Sequence, residues 1–186
     1  MEDFAYLLGA LGDASITYRK KKGEYCIEYE QKNKKWLEQS IIPRIEKLYK
    51  KVSVKQRKSG LYRVRLYSKR AYFDFIKYWK NPIAILSFNR EAQLTFVRGF
   101  FDAEGSVPKR HPKTCYRIFI LQKDRQVLQI ISKILKSVGI ITGNIEKNKN
   151  IFSLPIRSKR KIQLFSDLIK PEHPVKNKAL KDLLCS

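Results

Sequence analysis

The same landmarks recur in this chain in the same order, about ninety residues apart. Tyr6-Leu7-Leu8-Gly9-Ala10-Leu11-Gly12-Asp13 is an apolar, glycine-containing run closed by an acid, and Phe96-Val97-Arg98-Gly99-Phe100-Phe101-Asp102-Ala103-Glu104 is another. Gln31-Lys32 begins 18 residues after Asp13, and Gln122-Lys123 begins 18 residues after Glu104. Ser68-Lys69-Arg70 follows Asp13 by 55 residues, and Ser158-Lys159-Arg160 follows Glu104 by 54. Such agreement marks an internal duplication. It divides the chain into halves at residues 1–80 and 90–170 with a linker over 81–89, where Pro82 breaks the preceding helix. Residues 171–186 have no counterpart in the first copy and read as a tail or short surface helix.

Within each copy the hydrophobic period alternates between helix and strand. The opening run reads as a short apolar helix with Asp3 as a candidate N-cap. Residues 24–31 alternate, Tyr25, Ile27 and Tyr29 against Glu24, Cys26, Glu28 and Glu30, which is a strand period, and 116–121 match them. Trp36, Leu37, Ile41, Ile45 and Leu48 recur at helical spacing, as do Val127, Leu128, Ile131, Ile134, Leu135 and Val138. A hairpin follows each: 52–57 with 61–67, and 141–146 with 151–157. Helices over 69–80 and 158–169 close the copies. The expected fold class is therefore α+β: two αββαββα units related by a pseudo-twofold axis, each with an antiparallel sheet.

Charge narrows the partner. Among 186 residues, 40 Lys and Arg oppose 17 Asp and Glu, a formal net charge of +23 spread along the whole chain. At 43% hydrophobic residues, the chain can build a core, so it is neither a disordered basic arm nor a tail. A folded polycation of this kind suits a polyanion, and double-stranded DNA is the leading expectation. No stretch approaches the length of a membrane span. Glu2 and Asp3 stand where a secretory signal would be basic, so an intracellular, non-secreted protein is expected. Cys26, Cys115 and Cys185 lack CxxC spacing and read as reduced thiols.

The hairpins indicate where a duplex would lie. Along 62–67, Tyr62, Val64 and Leu66 share one face while Arg63, Arg65 and Tyr67 share the other. The corresponding outward positions of the second copy are Ser153, Pro155 and Arg157. Lys55 and Arg57 extend the first basic surface. A two-stranded ribbon fits the major groove, where Arg addresses guanine edges. The loop residues Arg19, Lys20 and Lys22, and Lys109 and Arg110, are expected on phosphates.

Among so many cations the two acids need a reason. Small residues beside them (Gly9, Ala10, Gly12; Gly99, Ala103, Gly105) would let the two apolar helices pack backbone to backbone, and duplication would bring Asp13 and Glu104 together at the axis. Taken singly, either acid is explained as a surface residue beyond a helix. As a repeated pair, each carboxylate ends a helix amid unpaired carbonyl oxygens, a hard-oxygen environment suited to Mg²⁺. Beside DNA, the matching chemistry is phosphodiester hydrolysis.

These runs resemble a known family. FVRGFFDAEG is a close match to the LAGLIDADG motif of homing endonucleases and YLLGALGDAS a looser one, a likeness that covers residues 4 to roughly 169 and has the form of the single-chain, two-motif members. The resemblance implies a monomer whose motif helices form the interface between halves and whose sheets straddle a long, partly asymmetric duplex. Both strands would be cut to leave 3′ overhangs, with Mg²⁺ as cofactor and Mn²⁺ or Ca²⁺ able to substitute in binding. It makes Asp13 and Glu104 metal ligands, supported by the carbonyls of Gly12 and Ala103. Gln31 and Gln122 would order water, and Lys32 and Lys123 would stabilise the scissile phosphates. The alternative is an RNA-binding maturase or splicing helper acting on intron RNA.

One departure stands out. Gly99 precedes its acid by five residues but Gly9 precedes Asp13 by only four, which in a continuous α-helix turns the acid by about 100°. Ala14-Ser15 also replaces the usual glycine. A weakened first site, or nicking of one strand, is the expectation from that spacing. His111 and His173 both flank prolines and form no metal constellation or triad, and phosphate-loop and dinucleotide glycine fingerprints are absent.

Overall fold

The structure, a computed structural model, describes residues 1–108 and 116–185; Lys109 and Arg110 lie outside the described residues. Helix α1 (Glu2–Gly9) passes into a 3-10 turn (Ala10–Asp13), then strands β1 (Ala14–Arg19) and β2 (Glu24–Gln31). Helix α2 (Lys34–Trp36), a π-turn (Leu37–Ile41) and α3 (Ile42–Leu48) run on continuously, followed by β3 (Val54–Gln56), β4 (Tyr62–Tyr67) and α4 (Lys69–Lys80). A 3-10 segment (Pro82–Ser87) leads into the second copy: α5 (Arg90–Glu104), β5 (Gly105–Ser106), β6 (Arg117–Gln122), α6 (Arg125–Ser137), β7 (Glu146–Asn148), β8 (Ile151–Arg157) and α7 (Lys159–Ile169). A last helix, α8 (Pro174–Cys185), closes the chain.

Two four-stranded antiparallel sheets result, ordered β1-β2-β4-β3 and β5-β6-β8-β7. The identical order is the duplication in three dimensions. Short polar side chains start the helices where the sequence places them: Asn33, Ser68, Asn89 and Asp124 accept hydrogen bonds from backbone N–H groups two or three residues on, satisfying donors that the first turn leaves over. Asp3 is not such a cap. Helix α1 begins at Glu2, and the Asp3 carboxylate instead pairs with Lys47 at 2.7 Å and Arg44 at 3.6 Å.

One hydrophobic core runs through both halves, from Tyr6, Leu7 and Leu11 to Phe101, Ile118 and Phe165. At its centre α1 and α5 cross with their backbones touching. A Cβ on Gly9 would lie 2.1 Å from the carbonyl oxygen of Phe96, and one on Gly99 would lie 2.1 Å from that of Tyr6. No side chain fits there, so the glycines set how closely the two copies approach.

The second hairpin differs from expectation. Residues 141–145 form no strand, and β7 is confined to Glu146–Asn148. The cause is Pro155, which has no N–H to give the ladder and whose carbonyl accepts from Gly143 N at 2.8 Å. The crossing chain also buries Pro155, which is therefore not an outward position.

The irregular first motif is resolved by winding. Between Gly9 and Asp13 the chain is 3-10, whereas α5 stays α-helical through Glu104. Four residues of 3-10 helix rise about 8 Å and turn about 480°, and five of α-helix rise about 7.5 Å and turn about 500°. The missing residue is thus absorbed by the tighter pitch, and the 100° offset expected from the spacing does not arise.

Candidate active site and nucleic-acid interface

The α1–α5 crossing delivers the motif ends to one place. Gly12 is shaped by its neighbour: a Cβ there would lie 2.4 Å from Cγ of Glu104 and 2.6 Å from its Oε1. The Glu104 side chain therefore folds over the last turn of the first motif, with Asp13 next in the chain. Gly12 also lines a hollow of about 370 Å³ together with Gln122 and Lys123 of the second copy and Leu8, Phe96 and Phe100 of the helices. Gln31 and Gln122 end equivalent strands. In each, Oε1 accepts from the backbone N–H of the following lysine, Lys32 or Lys123, at 2.7 Å. This common bond commits the amide oxygen and orients the NH₂ as the donor.

Among the described residues no cluster of three or more His, Cys, Asp or Glu exists, which is not the donor set of a soft-metal centre. What fits is a small hard-oxygen site: a carboxylate over a glycine that leaves room for it, at the end of a helix whose carbonyls point outward. The Ala103 carbonyl, implied as a supporting ligand, is engaged otherwise. Lys176 Nζ of α8 donates to the carbonyls of Ala103 at 2.6 Å, Asp102 at 2.7 Å and Phe101 at 3.1 Å, an ammonium cap on the helix C-terminus.

Two further groups escaped the sequence reading. Asp102 is fully buried, and its carboxylate accepts from Tyr6 Oη at 2.6 Å and from the backbone N–H groups of Glu172 and His173 at 3.0 Å. Tyr6 Oη in turn accepts from Trp36 Nε1 at 2.8 Å. Burial raises the Asp102 pKa to about 6, against the lowering effect of its hydrogen bonds. Arg44 lies 3.8 Å over the Tyr6 ring and grips Glu172 with both guanidinium nitrogens, at 2.6 and 2.9 Å. The segment after α7 is thus stitched to the motif helices of both halves. No spacing in the sequence announces this, because the partners lie about 70 and 96 residues apart.

The sheets' outer faces carry the candidate DNA contacts. On the first, Arg63, Arg65 and Tyr67 do face outward, with Lys55 opposite Arg63. Lys55, Arg63, Arg65 and Tyr67 line a basic hollow of about 310 Å³ with Lys50 and Lys51. The face is less purely cationic than its strand suggests. Arg65 pairs with Glu28, Arg57 with Glu30, and Arg19 with Glu24 at 3.5 Å. Lys20 and Lys22 stand exposed in the β1–β2 connection. Arg157 is exposed on β8 and bonds Glu146 at 2.7 Å. No described helix is long and apolar enough to cross a membrane.

Comparison with known proteins agrees with this geometry. A family model described as a LAGLIDADG-like domain matches residues 91–170. The homing endonuclease I-ApeI of Aeropyrum pernix is 31% identical over 194 residues, spanning 96% of this chain and 86% of that protein. I-DmoI of Desulfurococcus mucosus is 31% identical over 145 residues, 73% of this chain and 70% of its own length. The fold superposes on I-DmoI in complex with DNA and Ca with a TM-score of 0.74 and 25% identity over 97% of each chain. With I-DmoI bound to DNA and Mn the TM-score is 0.72 at 26% identity, covering 92% of this chain and 98% of that one.

Proposed function

The chain belongs to the LAGLIDADG homing endonuclease family, and on that premise we propose that it is a site-specific endonuclease that hydrolyses both strands of a long, partly asymmetric DNA duplex, using Mg²⁺ and leaving 3′ overhangs. The observation that carries this reading is the glycine crossing of α1 and α5, which sets Glu104 against Gly12 beside Asp13. Asp13 and Glu104 hold the divalent cations, with the Gly12 carbonyl in support. A divalent cation so held acidifies water and offsets the charge that develops on the phosphate oxygens. The NH₂ groups of Gln31 and Gln122 orient water for attack at phosphorus. Lys32 and Lys123 stabilise the phosphate as its ester P–O bond breaks. The 3-10 turn favours cleavage of both strands over nicking, because it restores the reach of the shorter motif. Before the cut, the basic and polar outer faces of the sheets hold the duplex, and Lys20, Lys22 and Arg19 fix its phosphates.

The test is incubation with a plasmid carrying the uninterrupted form of the host gene, with Mg²⁺ and with EDTA. Linearisation at one position in Mg²⁺ alone is expected. Asp13→Asn and Glu104→Gln should each lower cleavage by at least about 100-fold while retaining duplex binding, since losing a carboxylate does not weaken attraction to a polyanion. Tight binding without cleavage by the unaltered protein overturns the reading, and loss of binding in the two variants overturns the metal roles.

A further inference from the structure

The outer faces of the two sheets can be matched position by position. Ser15 and Ser106 each stand two residues after their acid. Ser15 pairs with Glu28 and Ser106 with Phe119, so Glu28 and Phe119 occupy equivalent places. Across the next ladder Glu28 pairs with Arg65 and Phe119 with Pro155; two residues on, Glu30 pairs with Arg63 and Leu121 with Ser153. Positions that are ionic on the first sheet are apolar or neutral on the second. Phe119, Leu121, Ile151 and Ser153 line one concave surface of about 900 Å³, and Ile151 is 42% exposed. Their strand neighbours Ile118, Ile120 and Leu154 are fully buried in the core, so the outer apolar set is not needed for folding and has no cover within the chain.

Resting on the endonuclease reading, we propose that the two sheets read different base chemistry. The first addresses guanine and cytosine edges, and the second takes the 5-methyl groups of thymine on Phe119, Leu121 and Ile151. Arginine offers a fork to guanine O6 and N7, glutamate accepts from the cytosine amino group, and apolar side chains recognise the thymine methyl in the major groove. The Arg65–Glu28 and Arg57–Glu30 pairs hold both kinds of polar reader in register. On the second sheet, Arg117, Arg157, Lys147 and Lys149 surround the apolar surface. They complement flanking phosphates but would repel a second copy of a chain with net charge +23.

The full-length protein is used to select duplexes from a randomised pool in Ca²⁺, and the selected duplex is remade with deoxyuridine replacing thymidine in one half at a time. Uracil in the half contacted by the second sheet should weaken binding about fourfold for each methyl removed, and uracil in the other half should leave it unchanged. Phe119→Ser, and independently Leu121→Ser, should abolish the sensitivity without altering the selectivity for G·C in the opposite half. Equal sensitivity in both halves, or none in either, overturns the assignment while leaving the endonuclease reading intact. So does a DNA-free dimer that Phe119→Ser dissociates. A pool from which no duplex is enriched overturns both.

Discussion

Gly9, Gly99 and Gly12 all lack a side chain for reasons of space, yet their neighbours differ in kind. At Gly9 and Gly99 the intruded atoms are backbone carbonyls of the opposite helix at 2.1 Å, which can retreat only if the helices separate. At Gly12 the nearest atoms belong to the flexible Glu104 side chain. Gly9→Ala or Gly99→Ala should therefore destabilise the fold by about 3 kcal/mol or more, read as a lower denaturation midpoint. Gly12→Ala should keep the midpoint within about 1 kcal/mol of the parent but impair cleavage, because only Glu104 must swing aside. A stable Gly99→Ala protein, or an unfolded Gly12→Ala one, would contradict this division. At this scale the sequence was informative where a residue type was exceptional. Glycines in apolar helices and acids in a cationic chain drew notice, whereas Asp102 beside Glu104 looked like a second copy of the same signal. Only its contacts with Tyr6 and the backbone of Glu172 and His173 give it a separate, structural role.

At the level of elements, periodicity located β2, β4, α4 and α6 because each has one clearly apolar face and an identifiable start. It misjudged β7, where the residues have strand character but a proline on the neighbouring strand withholds the hydrogen bond they would need. The reach of the 3-10 turn was likewise invisible, since spacing counts residues and not rise per residue. Helix α8 was readable as a helix but not as part of the site. Lys176 is one lysine among many until its ammonium is seen against three carbonyls of α5. Lys176→Met should loosen that helix end, costing about 1–2 kcal/mol of stability. It should also slow cutting of one DNA strand more than the other, so that nicked plasmid accumulates. Equal slowing of both strands would show that α8 acts on the fold as a whole and not on the Glu104 end.

Across the whole molecule, the halves and the C-terminal segment are joined by a buried polar network whose ionisable members pull in opposite directions with pH. His173 is buried beside Trp36, and burial with the charge of Lys176 lowers its pKa from 6.5 to about 4. The contribution of His173 to stability is thus fully present above pH 6.5 and is lost as the pH falls to about 4. Asp102, raised from 3.8 to about 6 by burial, contributes fully below pH 3.8 and loses that contribution as the pH rises through 6. Replacing the histidine removes one arm of this opposition. Relative to the parent, His173→Gln should gain on the order of 2–3 kcal/mol on acidification from pH 6.5 to 4, measured by denaturant unfolding across that range. A pH-independent difference between the two proteins would mean that the imidazole does not titrate in the fold.

The tighter pitch of Ala10–Asp13 also means that two copies can differ in length and still agree in shape. A deletion inside a catalytic motif need not be fatal when the backbone can stretch to recover it. Duplicated halves can then drift apart residue by residue while their spatial symmetry persists. The family model aligns with residues 91–170 alone, the copy whose helix kept its full count. A chain that shows one recognisable motif can thus be mistaken for half of a homodimer, when the second half lies upstream in the same polypeptide, disguised by a single lost residue.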